Sequence, residues 1–193
     1  TIAVPQFVSL LLMRNFLNDH GPLNGLLQTL HLTNGPIPFL TDPLWAKFSI
    51  IFVNMWIGIP FTMLVATGII MNLPTEQIEA AEIDGASKFQ IFKSITFPQI
   101  LLIMAPSLIQ QFIGNINNFN VIYFLTGGGP TNSEYYQAGS TDLLVTWLYK
   151  LTVSAKDYNL ASVIGILIFA ISATFSLLAY TGSSSFKEGA AKY

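Results

Sequence analysis

Three long stretches of this chain carry no formal charge: Phe48–Thr75, Ser94–Ser133 and Tyr158–Phe186. A helix that crosses the ~30 Å hydrocarbon layer of a bilayer needs about 20 mostly apolar residues, each rising ~1.5 Å. A charge at its centre costs at least ~2.5 kcal/mol. The pattern predicts spans over 45–73, 98–125 and 160–181. Buried core helices of a soluble domain are the alternative, but they do not readily explain three such runs in 193 residues. Only 9% of the residues are charged, against about 25% in soluble domains, and a soluble domain so poor in charge would expose an aggregation-prone surface.

The remaining composition excludes several functions. Eight basic and ten acidic side chains give a net charge of −2, so no basic surface is available for nucleic acid. With no cysteine there is no disulfide framework, thiolate nucleophile or thiolate metal site. His20 and His31 sit in a loop without clustered carboxylates, which does not suit a metal or a general base. Gly127-Gly128-Gly129-Pro130 lacks the Lys-Ser/Thr and the preceding strand of a phosphate loop, and reads as a turn that closes a span. No catalytic residue, metal or cofactor is expected in this chain. An ion-coupled carrier or membrane enzyme would need acids, histidines or basic groups in the interior of the spans, and apart from Lys47 at the edge of the first they hold none.

Residues 1–16 read as the end of a further span whose beginning precedes Thr1, with no charged n-region of a signal peptide. The connections fall at 17–44, 74–97, 126–159 and 182–193. The first is broken by Gly21-Pro22, Gly35-Pro36 and Pro38, leaving a short helix near Leu23–Leu32. Within the third, 143–153 is too short to span, and Trp147, Tyr149 and Lys150 suit an interfacial helix. Ser183–Glu188 reads as a solvated, frayed end. One side of the membrane would hold Arg14, Lys47, Lys150 and Lys156, the other Lys88, Lys93, Lys187 and Lys192. That balance leaves the sidedness open.

Four of the ten acids lie between Pro74 and Phe89. Thr75, Ile78 and Glu79 suit a helix start with acids against the positive end of the dipole, and Gly85 can end that helix in a left-handed conformation. Ala80 and Ala81 leave a face without bulk, while Phe89, Phe92 and Ile95 form an apolar stripe leading to Pro98. A plain surface connector would satisfy these features equally. Inside the spans, Gln111, Asn115 and Asn118 fall at i, i+4, i+7, and Asn54, Gly58 and Phe61 repeat that spacing. Amides cannot face lipid unsatisfied. They either hydrogen-bond between helices or offer neutral donors and acceptors, beside aromatic rings, to an uncharged polyhydroxylated solute.

Glu79-Ala80-Ala81, three residues, Gly85, nine residues and Ile95-Thr96-Phe97-Pro98 resemble the EAA loop of permeases of binding-protein-dependent, ATP-driven importers. Only Phe97 departs from that pattern, replacing leucine, and Asp84 and Ala86 match its common DGA variant. The resemblance implies an all-α integral membrane fold, the C-terminal part of a polytopic type I ABC importer permease in a bacterial cell membrane. It further implies that Glu79, Ala80, Ala81, Asp84, Gly85 and Ala86 form a cytoplasmic coupling helix docked on an ATPase. Residues 74–97 and the tail would then lie inside, and 17–44 and 126–159 outside.

Asn54–Phe61, Asn115–Phe119, Leu125–Pro130 and Ala138–Val145 resemble in addition the larger permease subunit of maltose/maltodextrin-type importers. This likeness implies that Asn54, Gly58, Phe61, Asn115 and Asn118 contact sugar, with Gln111 beside them. Gly114 stands where that family has an aromatic ring, Gln111 where it has a small hydroxyl residue, and Phe61 where it has tyrosine. The implied partners are a homologous second permease, two ATPase subunits that bind ATP and Mg, an extracytoplasmic solute-binding protein and an oligosaccharide.

Overall fold

The computed structural model describes residues 4–182; the expected tail over 183–193, with Lys187 and Lys192, lies outside the described residues. The described chain is helical, and its only strand-like feature is the isolated bridge between Thr131 and Gly139. In order come α1 (Gln6–Phe16), α2 (Pro22–Thr29), α3 (Pro43–Met71) and α4 (Thr75–Ile83). α5 (Lys88–Ile91), a π-helical turn (Phe92–Thr96) and α6 (Phe97–Ile116) follow without interruption. After them stand α7 (Phe119–Leu125), α8 (Leu144–Lys150) with a second π-helical turn (Leu151–Ala155), and α9 (Tyr158–Gly182).

Among the described residues, three helices are long and apolar enough to cross a membrane: Pro43–Met71, Lys88–Ile116 and Tyr158–Ala179. Only 11% of the most apolar part of each is buried within the chain, and large side chains such as Phe48, Met63 and Phe169 are exposed. In water such surfaces would aggregate; lipid or neighbouring helices must cover them.

The second of these helices starts earlier and stops earlier than an uninterrupted run over 98–125. Pro98 lacks the N–H that an α-helix needs, and its ring crowds the carbonyl four residues back. The π-helical turn just before it loosens the ladder, with the Phe97 N–H reaching the carbonyl of Phe92. At the far end Asn117 and Asn118 leave the helix. Asn118 takes up φ −77°, ψ 80°, and its side chain caps α7 by accepting the Val121 N–H at 3.3 Å. A local amide acceptor outcompetes the helical ladder there.

The described residues form two compact units, one built from residues up to Ile59 with Gly114–Ala173, the other from Pro60–Ile113 with Thr174 onward. The first has a core of Leu10, Leu17, Val53, Val121 and Leu125, where α1 packs on α7. A second cluster, Leu151, Ala161 and Ile164, joins the end of α8 to α9. The 17–44 connection is tied down by Asn24, which is 1% exposed. Its Nδ2 donates to the carbonyls of Asn18 and Ile37, and its Oδ1 accepts the Ile37 N–H at 2.8 Å. A buried amide so completely paired acts as a clasp. The second unit holds α4, none of whose residues is buried.

Candidate functional site

Three amides meet in the first unit. Asn54 on α3 donates through Nδ2 to Asn115 Oδ1 at 2.9 Å, and Asn118 Nδ2 donates to Asn54 Oδ1 at 3.0 Å. A longer bond of 3.5 Å from Asn118 Nδ2 to Asn115 Oδ1 closes the ring. The spacing argument put Asn115 and Asn118 on one helical face; instead Asn115 lies in the last turn of α6 and Asn118 beyond it, brought back by the break in the helix. Asn54 and Asn118 are half-buried and Asn115 is exposed. The Asn115 NH2 donates to no described residue. Gly58 follows Asn54 by one turn on α3 and is exposed. No acid or base takes part, so the ring offers neutral donors and acceptors and no charge. Asn117, on the other side of the break, donates to Ser172 Oγ of α9 at 2.9 Å.

Gln111 and Phe61 belong to the second unit. Thr62 Oγ1 donates to Gln111 Oε1 at 3.1 Å, and Gln111 Nε2 is buried without a partner. Phe61 is 52% exposed. The apolar spacing of α3 gave no sign of Thr62, because a lone threonine in a helix usually bonds its own backbone.

The residues expected to dock on an ATPase, Glu79 to Ala86, also lie in the second unit, on a helix with tightly specified ends. α4 begins at Thr75, with Pro74 in the cap position and no side-chain cap; Glu76 sits in its first turn. At the other end the Gly85 N–H donates to Glu82 O and the Ala86 N–H to Ala81 O, both at 3.0 Å. With Gly85 at φ +81° this is a Schellman turn. Ser87 then caps α5 through a reciprocal pair with Gln90. Glu79, Ala80, Asp84 and Gly85 are exposed, Ala81 and Ala86 half-buried, and Ile83 is 86% exposed. A short helix pinned at its end but uncovered along its length presents a stiff, largely vacant surface.

One feature of the 126–159 segment gave little sign of itself in sequence. Gly128, at φ +81°, packs so closely that a Cβ there would overlap the Asp142 carboxylate. Asp142, whose side chain is 2% exposed, accepts from Lys150 Nζ and the Gly139 N–H, both at 2.6 Å. Thr141 donates to the carbonyl of Gly129. The glycine run is thus one half of a clasp whose other half is Gly139–Asp142, locked to α8 by an ion pair. Nearby, the Tyr149 ring meets Tyr123 edge-on at 5.2 Å, and the Tyr123 hydroxyl beside it raises the Tyr149 phenol above its ordinary range.

Other candidates fall away from these groups. A cavity of about 780 Å³ in the first unit, between Leu12, Phe16, Phe52 and Trp56, is apolar and contains none of the expected residues. Among the described residues no cluster of His, Asp and Glu is placed to hold a metal.

Comparison with known proteins supplies the context. The model of the family described as binding-protein-dependent transport system inner membrane component matches residues 1–185. The chain is 40% identical over 191 residues to a galactooligosaccharides transport system permease protein of Bacillus subtilis, covering 97% of this chain and 45% of that protein. It is 39% identical over 186 residues to a maltodextrin transport system permease protein of Streptococcus pneumoniae, covering 92% and 42%. It thus spans less than half the length of these relatives. Among solved structures, a bacterial ABC transporter involved in the import of the acidic polysaccharide alginate superposes with a TM-score of 0.79 at 26% identity, covering 92% of this chain and 60% of that one.

Proposed function

The chain belongs to the family of inner membrane components of binding-protein-dependent transport systems, and we propose that it lines the pathway of an importer for neutral oligosaccharides of the maltodextrin kind. The observation that carries this reading is the ring of Asn54, Asn115 and Asn118, which joins two membrane-length helices to the cap of α7 without a charged group. Hydroxyl-rich solutes exchange hydrogen bonds with such amides one for one, whereas a carboxylate or phosphate would call for arginine or lysine. The maltodextrin and galactooligosaccharide relatives fit the same chemistry.

On this reading Asn54, Gly58, Phe61, Gln111, Asn115 and Asn118 face the solute. The permease works with a homologous second permease and an extracytoplasmic binding protein that delivers the sugar. Two ATPase subunits bind ATP and Mg on the cytoplasmic side, and the chain itself catalyses nothing. Residues 74–97 lie inside, and 17–44 and 126–159 outside. Glu79, Ala80, Ala81, Asp84, Gly85 and Ala86 dock on an ATPase, and closure of the ATPase pair moves the spans between outward and inward access.

The test is uptake by the full-length permease, reconstituted with its partner subunits and binding protein. Asn115→Leu should lower sugar uptake by about tenfold, the scale of one or two lost hydrogen bonds, while basal ATP hydrolysis persists. If the variant instead fails to assemble, the ring is interhelical glue and the proposal fails. A galactooligosaccharide specificity is the second reading, favoured by the relative from Bacillus subtilis, and uptake of maltodextrins against galactooligosaccharides decides between them.

A further inference from the structure

The helix Lys88–Ile116 is longer than a bilayer's hydrocarbon layer requires: its 29 residues rise about 43 Å, against ~30 Å of hydrocarbon. Its uncharged part, 94–116, is itself about 35 Å long, so Lys88 and Lys93 stand at the border of that layer. On a helix that turns ~100° per residue, Lys88, Phe92, Phe89 and Lys93 fall in that order within an arc of about 140°. Two aromatic side chains are thus flanked on either side by a lysine. Phe89 is 73% exposed and Phe92 49%, and both lysines are exposed, whereas Ile91, off that arc, is buried. Residues five apart on an α-helix stand about 140° round from each other. The π-helical turn Phe92–Thr96 instead lines them up, and the Phe97 ring lies 5.8 Å from that of Phe92. The aromatic stripe thereby runs from the lysines towards the uncharged part of the helix. Neither lysine side chain has an ion-pair or hydrogen-bond partner among the described residues, the preceding acids Glu82 and Asp84 included.

We propose that this patch is a binding surface for anionic phospholipids, with Phe89, Phe92 and Phe97 among the upper acyl carbons and Lys88 and Lys93 on the headgroups beside them. Phenyl rings have no polar group to keep wet and gain from leaving water, while a lysine stem lies along the apolar border with its ammonium in the headgroup layer. Two unpaired cations at one membrane border select lipids of net negative charge over zwitterionic ones, each by about fivefold near an anionic surface. No acid lies within the helix to oppose them. The surface holds the start of this span at a fixed depth, and it is independent of which solute the chain carries.

The experiment reconstitutes the full-length permease complex in phosphatidylcholine vesicles with a trace of phosphatidylglycerol or phosphatidylcholine that bears a diazirine near the top of one acyl chain. The two probes are used at equal mole fraction, and adducts are mapped by mass spectrometry after photolysis. Adducts over 89–97 should form about fivefold more from the anionic probe than from the zwitterionic one. Lys88→Gln combined with Lys93→Gln should bring that ratio within about twofold of unity, while adducts from the zwitterionic probe persist. The parent complex in ~1 M salt, where charges are screened beyond ~3 Å, should lose the preference in the same way, and this arm decides if the double variant fails to assemble. Equal yields from both probes at low salt overturn the proposal, as does a preference that survives either the substitutions or the salt. So does the absence of adducts over 89–97 while other residues of the spans are labelled, because a protein partner then covers the patch.

Discussion

Replacing Gly85 tests whether α4, proposed above to dock on an ATPase, needs its shape or only its surface. Gly85 holds φ +81°, a conformation that costs other residues roughly 1–2 kcal/mol. A Cβ there would touch nothing within 4 Å, so the cost within this chain is conformational and not steric. Nothing else absorbs it, because no residue of α4 is buried and its end rests on the Glu82 and Ala81 carbonyl bonds. A penalty of that size shifts the balance between formed and frayed turn about 5- to 30-fold. Asparagine tolerates the left-handed region better than other residues, and a β-branched residue worst. Sugar-stimulated ATP hydrolysis in the reconstituted complex should therefore rank parent, Gly85→Asn, Gly85→Val, with valine near the unstimulated rate and membrane insertion unchanged in all three. Equal stimulation across the series would refute the role of the turn. Equal loss in both variants would refute the conformational argument, because it would mean that any side chain at 85 collides with the docked ATPase.

Three other outcomes are expected. Asn118→Ser keeps a cap for α7, whereas Asn118→Ala removes it at a cost of about 0.5–2 kcal/mol; thermal unfolding in detergent should separate the two variants while both lose sugar uptake. Lys150→Met leaves the Asp142 carboxylate, 2% exposed, without its counter-ion, and removal of one partner of a buried pair costs about 3–5 kcal/mol. The melting temperature should fall, and Asp142→Asn in the same chain should restore part of the loss. Gly128→Ala should destabilise at least as much as Lys150→Met in the same assay, since the new methyl group overlaps the carboxylate in a left-handed turn.

The long helices were legible because the bilayer imposes a strict rule: charge is absent wherever hydrocarbon must be crossed. The α4 helix and its glycine stop were equally legible, since capping chemistry is local and Gly85 ends the helix with both bonds of a Schellman turn. The break at Asn117–Asn118 was not. A run of amides reads as a polar helical face, and only the competition between the Asn118 side chain and the helical ladder turns it into a cap. The ring therefore contains Asn54, Asn115 and Asn118 of the residues the spacing selected, for a different geometric reason, and leaves out Gln111 and Phe61. The pairing of Asp142 with Lys150 across a glycine turn was invisible for the opposite cause, as two charges eight positions apart on a segment of irregular backbone follow no period.

The strengths of these polar contacts bear on how an importer of this kind can work. Hydrogen bonds between helices in a bilayer average only ~0.6 kcal/mol, so the three bonds of the ring together hold Asn54, Asn115 and Asn118 by about 2 kcal/mol. The ring pairs part of each amide within the chain, as hydrocarbon or a dry cleft requires, and leaves the Asn115 NH2 to donate elsewhere. On the proposed sugar-site reading, a hold of that size is also small enough for a solute with several hydroxyls to replace, bond for bond, without trapping itself. A salt bridge in the same place would be harder to open and would select charge. The buried Asp142–Lys150 pair stands instead in the 126–159 clasp, where a fixed shape is the requirement and exchange is not. On that reading, weak neutral contacts stand where solute comes and goes, and a strong ionic contact where nothing should move, each matched to the free energy its position can tolerate.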